Sequence, residues 1–240
     1  MEIQLFFILA FGLCFGSFAN VLIYRIPRNL SILTPNSHCP HCQTPLKWRD
    51  KIPLLSYFLS RAQCRYCHAK IPLFYPLSEC LGAVFALFCY EVFPFPCALA
   101  LFFLLLLFYV LSVIDVQFLA IPDSLNFLAF FFALCFAFLY DSALNAGIMA
   151  FSFIGFATFL RLFVGSIFKK EVLGEGDLIL FGTMGCALGA FFGAVAIFLS
   201  ALYALVFYGI LFAFQRRIVA IPFVPFLFLG FLSAFVWQIL

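Results

Sequence analysis

Long apolar runs constrain this chain more than any other feature. Hydrophobic residues make up 67% of its 240 residues and charged residues only 10%, which excludes an ordinary soluble domain. A helix that crosses the hydrocarbon core of a bilayer needs roughly 20 mainly apolar residues. By that rule the sequence predicts an all-α polytopic membrane protein with about eight spans, at residues 3–24, 74–93, 97–115, 124–140, 146–168, 178–198, 200–214 and 219–239.

The charged residues predict how these spans are oriented. With eight spans, all 13 Lys and Arg residues fall on one side of the bilayer, and most of them lie between the first two spans. Glu2, Glu91 and Asp141 fall on the other side. The positive-inside rule makes the basic side cytoplasmic, so both termini are expected outside. The net charge of +3 is too small to indicate a nucleic-acid partner.

One polar segment, from about residue 25 to residue 73, separates the first two spans. It contains two C-x2-C pairs, Cys39 with Cys42 and Cys64 with Cys67. Their spacing is typical of a structural zinc site, in which four thiolates leave no coordination position open. Disulfides are not expected in a cytoplasmic loop. Replacement of one cysteine by a nearby histidine remains an alternative; the candidates are His38, His41 and His68.

Asp115 is the first of two acids that stand at the edge of apolar runs. It follows the apolar stretch 99–114, and its helix is expected to continue until Pro122 ends it. An ionisable residue at membrane depth is costly and therefore indicates a functional site. A carboxylate that merely reaches cytoplasmic water is the alternative. Glu79, Glu171 and Glu175 are expected to be solvated loop acids or acids at the level of the lipid headgroups.

Asp177 is the second acid, and it ends the motif Gly174-Glu175-Gly176-Asp177. The glycines allow a tight turn and a close approach of a substrate strand, although a helix N-cap role for Asp177 is an alternative. Two carboxylates that meet can share one proton and activate water. Together with Asp115 the motif predicts a membrane-embedded aspartyl protease. A transporter that uses the two acids as an ion or proton relay is the alternative function.

In their order and spacing, the motifs of this chain resemble those of the bifunctional prepilin leader peptidases of type IV pilus and type II secretion systems. The resemblance covers nearly the whole chain. The segments that carry it are Gly16-Ser17-Phe18-Ala19-Asn20-Val21-Leu22-Ile23-Tyr24-Arg25-Ile26-Pro27, the two cysteine pairs with Ile52-Pro53-Leu54-Leu55-Ser56-Tyr57 between them, Tyr75-Pro76-Leu77-Ser78-Glu79, Asp115 followed by Pro122-Asp123, and Gly174-Glu175-Gly176-Asp177.

The resemblance implies an inner-membrane aspartyl endopeptidase with Asp115 and Asp177 as its catalytic pair. Such an enzyme cuts the leader peptide from prepilins or pseudopilins at the cytoplasmic membrane face. The resemblance also implies methylation of the new N-terminus with S-adenosylmethionine, although no sequence motif indicates which residues bind this cofactor. We therefore expect residues 1–73 to form the methylation half and residues 74–240 to form a seven-helix protease core.

Three positions depart from the family pattern. Ile179 stands where the family commonly has Lys, Lys51 stands where it often has Asn, and Ala62 replaces a usual glycine before the second cysteine pair. The absence of a cation beside Asp177 is expected to alter how the two acids share a proton. The two changes in the loop bear on methyl transfer more than on cleavage.

Overall fold

The computed structural model describes residues 2–140, 143–169, 173–213 and 221–240, and it is almost entirely helical. Several charged residues used for the orientation, among them Asp141, Lys170, Arg216 and Arg217, lie outside these ranges, as does Glu171. Within them no β-strand forms, and two isolated bridges are present in the cysteine loop. The α-helices are α1 (Glu2–Arg25), α2 (Leu55–Leu59), α3 (Phe74–Val92), α4 (Phe95–Phe118), α5 (Asp123–Tyr140), α6 (Ala143–Phe168), α7 (Glu175–Ala213) and α8 (Val224–Ile239).

The lengths and compositions of these helices make this a multi-pass membrane protein. In the part of the chain that the structure describes, six helices are long and apolar enough to cross a bilayer, namely α1 and α3 to α7, and α8 is a shorter apolar helix. These seven helices cover all eight predicted spans, because α7 contains both the sixth and the seventh. Its 39 residues would extend to about 58 Å if straight, far more than the ~30 Å hydrocarbon core.

Helix α7 in fact folds back on itself at Gly189. This glycine has φ 74° and ψ −174°, outside the helical region. A Cβ atom built on Gly193 would lie 3.2 Å from the Cα of Gly185, whereas residues eight apart in a straight helix are separated by about 12 Å. The run therefore consists of two antiparallel arms, 175–188 and 190–213. The boundary between the sixth and seventh predicted spans lies at Gly189 rather than near residue 199, because apolar residues continue across the turn.

The chain forms two compact units, residues 1–102 and residues 103–240. In the first unit α1 packs directly on α3, and three glycines permit the contact. A Cβ on Gly12 or Gly16 would collide with the backbone of α3, and one on Gly82 with the backbone of α1; small residues at such crossings let membrane helices approach closely. The predicted domain boundary after residue 73 falls inside this unit, since α3 belongs to the same packed body as α1.

In the second unit α5, α6 and α8 pack around α7. The ring of Phe153 lies against both Gly185 and Gly193, so α6 covers the inner side of the α7 turn. Phe108 of α4 stacks on Phe231 of α8 with ring centroids 5.1 Å apart, and both side chains are fully buried. This packing sets the end of α4 beside the start of α8, where the first acid lies.

Candidate active site and metal centre

Asp115 lies one turn before the end of α4, and only 6% of its surface is exposed. Its Oδ2 accepts a hydrogen bond of 2.9 Å from the backbone N–H of Val224, the first residue of α8. The first N–H groups of a helix have no partner within their own helix and readily bind anions. The carboxylate therefore caps α8, and the alternative of a side chain that reaches cytoplasmic water does not fit this burial.

As the sequence predicts, α4 continues beyond Asp115 and ends before Pro122, although it stops three residues before Ile121. The helix ends at Phe118, and Leu119 adopts a left-handed conformation with φ 52°. The N–H of Leu119 still donates to the carbonyl oxygen of Asp115 at 2.8 Å. Pro122 then precedes α5, as the helix-ending role of proline requires. A short turn thus leads from the first acid to the first residues of α5.

Asp177 is the third residue of α7 and is buried, with 9% of its surface exposed. Its Oδ2 accepts a hydrogen bond of 3.2 Å from the N–H of Gly174, an interaction typical of the third residue in a capping box. Asp177 is therefore not the N-cap residue of α7, but through this one oxygen it helps to cap the start of the helix. The other oxygen, Oδ1, is buried and has no hydrogen-bond partner within the described ranges.

The turn between α4 and α5 contacts the start of α7 at Gly176. A Cβ on Gly176 would lie 2.8 Å from the Cβ of Ile121, and the side-chain Nδ2 of Asn126 donates to the carbonyl oxygen of Gly176 at 2.8 Å. Asp115 also lies within the range at which its charge acts on Asp177. The structure places both predicted acids in one buried cluster at the ends of α4 and α7.

The sequence interpretation missed two members of this cluster. Asn126 is fully buried in the first turn of α5, and an amide at the start of an apolar run was the available signal, because polar groups at membrane depth are costly. The second is the backbone N–H of Val224. Its only signal in the sequence is the pair Pro222 and Pro225, because prolines mark the beginning of a helix, where the first backbone N–H groups have no partner.

The four predicted cysteines converge in the loop that follows α1. The Sγ atoms of Cys39, Cys42, Cys64 and Cys67 all lie within 4.8 Å of one another. The distance between Cys39 Sγ and Cys67 Sγ is 3.8 Å, which is the tetrahedral edge expected for Zn–S bonds of about 2.3 Å. The four thiols form a metal-binding cluster among the described residues, and the three loop histidines are not members of it.

Each cysteine pair sits on a turn of the same design. The N–H of Cys39 donates to Thr44 and the N–H of Cys64 donates to Ala69, at 3.0 and 2.8 Å. Four residues after each of these cysteines the chain adopts a left-handed conformation, at Gln43 and His68. Two equivalent turns therefore present two sulfur atoms each, as a closed tetrahedral site requires.

Local hydrogen bonds favour the thiolate form at two of the four positions. The side chain and backbone of Thr44 lower the pKa of Cys42 to about 6. The backbone amides of Cys67 and Tyr66 lower the pKa of Cys64. At Cys67 the amide of Ala69 acts in the same direction, but desolvation and the three neighbouring thiols outweigh it and raise the pKa to about 11. Four crowded sulfur atoms cannot all ionise unless a cation is present.

A cavity of about 470 Å³ lies within the first unit, between the end of α1, the cysteine loop and the start of α3. Glu79 lines it, and the sequence prediction of a solvated acid is wrong here, because Glu79 is only 9% exposed. Its Oε2 accepts a hydrogen bond of 2.8 Å from the N–H of Leu54. Asn20 also lines the cavity, and its Oδ1 is buried without a partner in the described part of the chain.

Comparison with known proteins finds two family models that match the chain. The model of the bacterial peptidase A24 N-terminal domain matches residues 10–93, and that of the type IV leader peptidase family matches residues 100–212. A leader peptide-processing enzyme for type 4 prepilin-like proteins from Escherichia coli O78:H11 is 35% identical over 204 residues, or 74% of each chain. The chain belongs to the type IV leader peptidase family.

Other relatives match almost from end to end. The prepilin leader peptidase/N-methyltransferase of Bacillus subtilis is 32% identical over 95% of this chain and 92% of its own length. The protein of the same name from Vibrio cholerae is 29% identical over 93% of each chain. No solved structure matches this member of the family significantly. The relatives' names give no support to the transporter alternative.

Proposed function

We propose that this protein is a membrane aspartyl endopeptidase that cleaves the leader peptide of prepilin-like proteins at the cytoplasmic membrane face. The observation that carries the proposal is the burial of Asp115 and Asp177 within range of each other's charge, with a different hydrogen-bond partner for each carboxylate. The family membership supplies the substrate class. The apolar helices place the reaction in a membrane, and the basic loops favour the cytoplasmic side of a bacterial inner membrane, with both termini outside.

The two carboxylates are suited to different protonation states. Each carboxylate accepts one backbone N–H at the start of a helix, Asp115 from Val224 and Asp177 from Gly174, so the difference between them lies in their second oxygens. Asp177 has one unpaired oxygen, Oδ1, which can carry the shared proton and donate it to the scissile carbonyl oxygen. Asp115 then takes a proton from a water molecule between the acids, and the resulting hydroxide attacks the carbonyl carbon. The tetrahedral intermediate breaks its C–N bond as the leaving amine gains a proton.

The experiment that tests this function uses the purified protein and a peptide that spans a prepilin cleavage site. Asp115→Asn and Asp177→Asn each remove one carboxylate and keep the side chain nearly the same size. Each is expected to lower the cleavage rate by about 10²- to 10⁴-fold. Mass spectrometry of the products measures cleavage, and thermal unfolding shows that the variants remain folded. Near-normal processing by either folded variant would overturn the assignment.

We further propose that the first unit methylates the new N-terminus, with residues 1–73 as the core of this methylation half. The cavity of about 470 Å³ falls within the ~300–1,000 Å³ typical of small-molecule sites. S-adenosylmethionine supplies a methyl group from its sulfonium centre when bound. Glu79 offers a carboxylate to a cationic ligand, and Asn20 offers an unpaired acceptor, so these lining residues fit this cofactor.

The methylation proposal has a separate test. Glu79→Gln removes the charge but keeps the shape and the acceptor for Leu54, so it is expected to reduce methyl transfer and to spare cleavage. The same mass spectra report both reactions, since a methylated product is heavier by one methyl group. Equal loss of both activities would refute this division.

For the cysteine cluster we propose a structural zinc ion held by Cys39, Cys42, Cys64 and Cys67.

A further inference from the structure

Asn126 is a buried amide beside the acidic pair that the proposed reaction does not use. It lies in the first turn of α5, and none of its surface is exposed. Its Nδ2 donates to the carbonyl oxygen of Gly176 at 2.8 Å, across 50 residues of sequence. Gly176 is covalently joined to Asp177, so this bond ties α5 to the residue that precedes the second acid.

The other half of the Asn126 amide is unsatisfied. Its Oδ1 is buried and, within the described ranges, accepts no hydrogen bond; the same is true of Asp177 Oδ1. Buried acceptors without a donor are rare in native proteins, and each one suggests a functional position. A buried, unpaired amide oxygen on the helix next to Asp177 suits a small donor molecule such as water.

We propose that Asn126 is a positioning residue for the catalytic pair: it holds Gly176, and through it Asp177, in place, and its free Oδ1 accepts a hydrogen bond from the attacking water. This inference rests on the proposed peptidase function. Among the described residues, the start of α7 is also held by the contact of Gly176 with Ile121, the bond from Gly174 to Asp177 and the ion pair of Glu175 with Arg161. The Asn126 bond is the one that ties the Gly176 carbonyl to α5, and its loss allows the neighbouring carboxylate to shift.

The test is Asn126→Leu, measured by steady-state cleavage of a prepilin-derived peptide. Leucine is a strong helix former and suits an apolar span, so the variant is expected to fold. Because a displacement of 1 Å at a reacting group can cost about 100-fold in rate, we expect kcat to fall about 100-fold and KM to stay within roughly threefold. The matched control is Ser152→Leu on α6. Ser152 is exposed and its hydroxyl donates to the carbonyl oxygen of Ile148 in the same helix, so kcat of this variant is expected to stay within roughly twofold of the wild-type value.

Three results distinguish the possible failures. If Asn126→Leu folds and keeps kcat within threefold of the wild type, the positioning role is refuted, because a packing role tolerates leucine. If Asp177→Asn itself cleaves normally, the proposed function fails and not merely this inference. If Asn126→Leu does not fold, Asn126→Ala decides by the same criterion, since it removes both amide groups without adding bulk or charge.

Discussion

The contact between Gly176 and Ile121 leads to a sharp prediction about the G-x-G-D motif. A Cβ atom on Gly176 would lie 2.8, 2.9 and 3.0 Å from the Cβ, Cδ1 and Cγ2 of Ile121. Carbon atoms normally approach to about 3.5–4.0 Å, so Gly176→Ala creates an overlap of more than about 0.5 Å. Rotation of the isoleucine side chain moves its outer carbons but not its Cβ, which is fixed to the backbone.

The start of α7 must therefore move when Gly176 becomes alanine. Overpacking of this kind costs about 1–3 kcal/mol of stability. Asp177 is the next residue, and a shift of its carboxylate by 1 Å can lower the rate about 100-fold. We expect Gly176→Ala to reduce peptide cleavage between tenfold and about 100-fold, with a measurable fall in the thermal midpoint. Packing of Gly176 against Ile121 is thus sufficient to explain a glycine at this position, and a close approach of the substrate strand is not needed for it.

Cleavage followed by mass spectrometry on folded, detergent-purified protein provides the assay. Gly147→Ala is the matched control, because Gly147 lies within α6 and a Cβ there meets nothing within 4 Å. It is expected to leave cleavage unchanged and to add up to about 1 kcal/mol through helix propensity. Wild-type cleavage by a folded Gly176→Ala variant would show that the motif glycine does not position Asp177.

Three further predictions concern the loop and the turn in α7. Ala62 has φ 58°, so Ala62→Gly should relieve about 1–2 kcal/mol of backbone strain. The added conformational entropy of glycine in the unfolded chain costs less than this, so the thermal midpoint should rise; an unchanged or lower midpoint contradicts the prediction. Metal analysis of the wild-type protein should find about one zinc ion per chain, and the Cys39→Ser variant should contain no zinc. Wild-type protein that is purified under reducing conditions and contains no metal would count against the site. Gly189 has φ 74° and ψ −174°, a backbone region essentially restricted to glycine, so Gly189→Ala should destabilise the fold by about 1–3 kcal/mol. Gly209→Ala, at a helical position where a Cβ likewise meets nothing within 4 Å, should not lower the thermal midpoint, and equal midpoints for the two variants would refute the strain.

The sequence was sufficient for features that rest on local chemistry. The spacing of Cys39, Cys42, Cys64 and Cys67 predicts a four-sulfur cluster because each pair occupies one tight turn. Asp115 and Asp177 were found because a charge at the edge of an apolar run is rare and costly. Both predictions need only neighbours in sequence, and the structure brings each set together.

The sequence was insufficient where the partner is distant. The donor to Asp115 lies 109 residues further along the chain, and no local pattern pairs an acid with one particular backbone N–H. The burial of Glu79 depends on the docking of Leu54 from the loop. The turn at Gly189 could not be predicted from hydropathy because apolar residues flank it on both sides. Only the backbone conformation of Gly189 shows where the helix reverses.

The reversal at Gly189 has a consequence for the lipid around the acids. The arm that carries Asp177 contains 14 residues, 175–188, and rises about 21 Å, which leaves it roughly 9 Å short of an average hydrocarbon core. Such hydrophobic mismatch is accommodated when the surrounding bilayer thins. A locally thinned leaflet beside Asp177 shortens the path by which water and a polar leader segment reach the carboxylates.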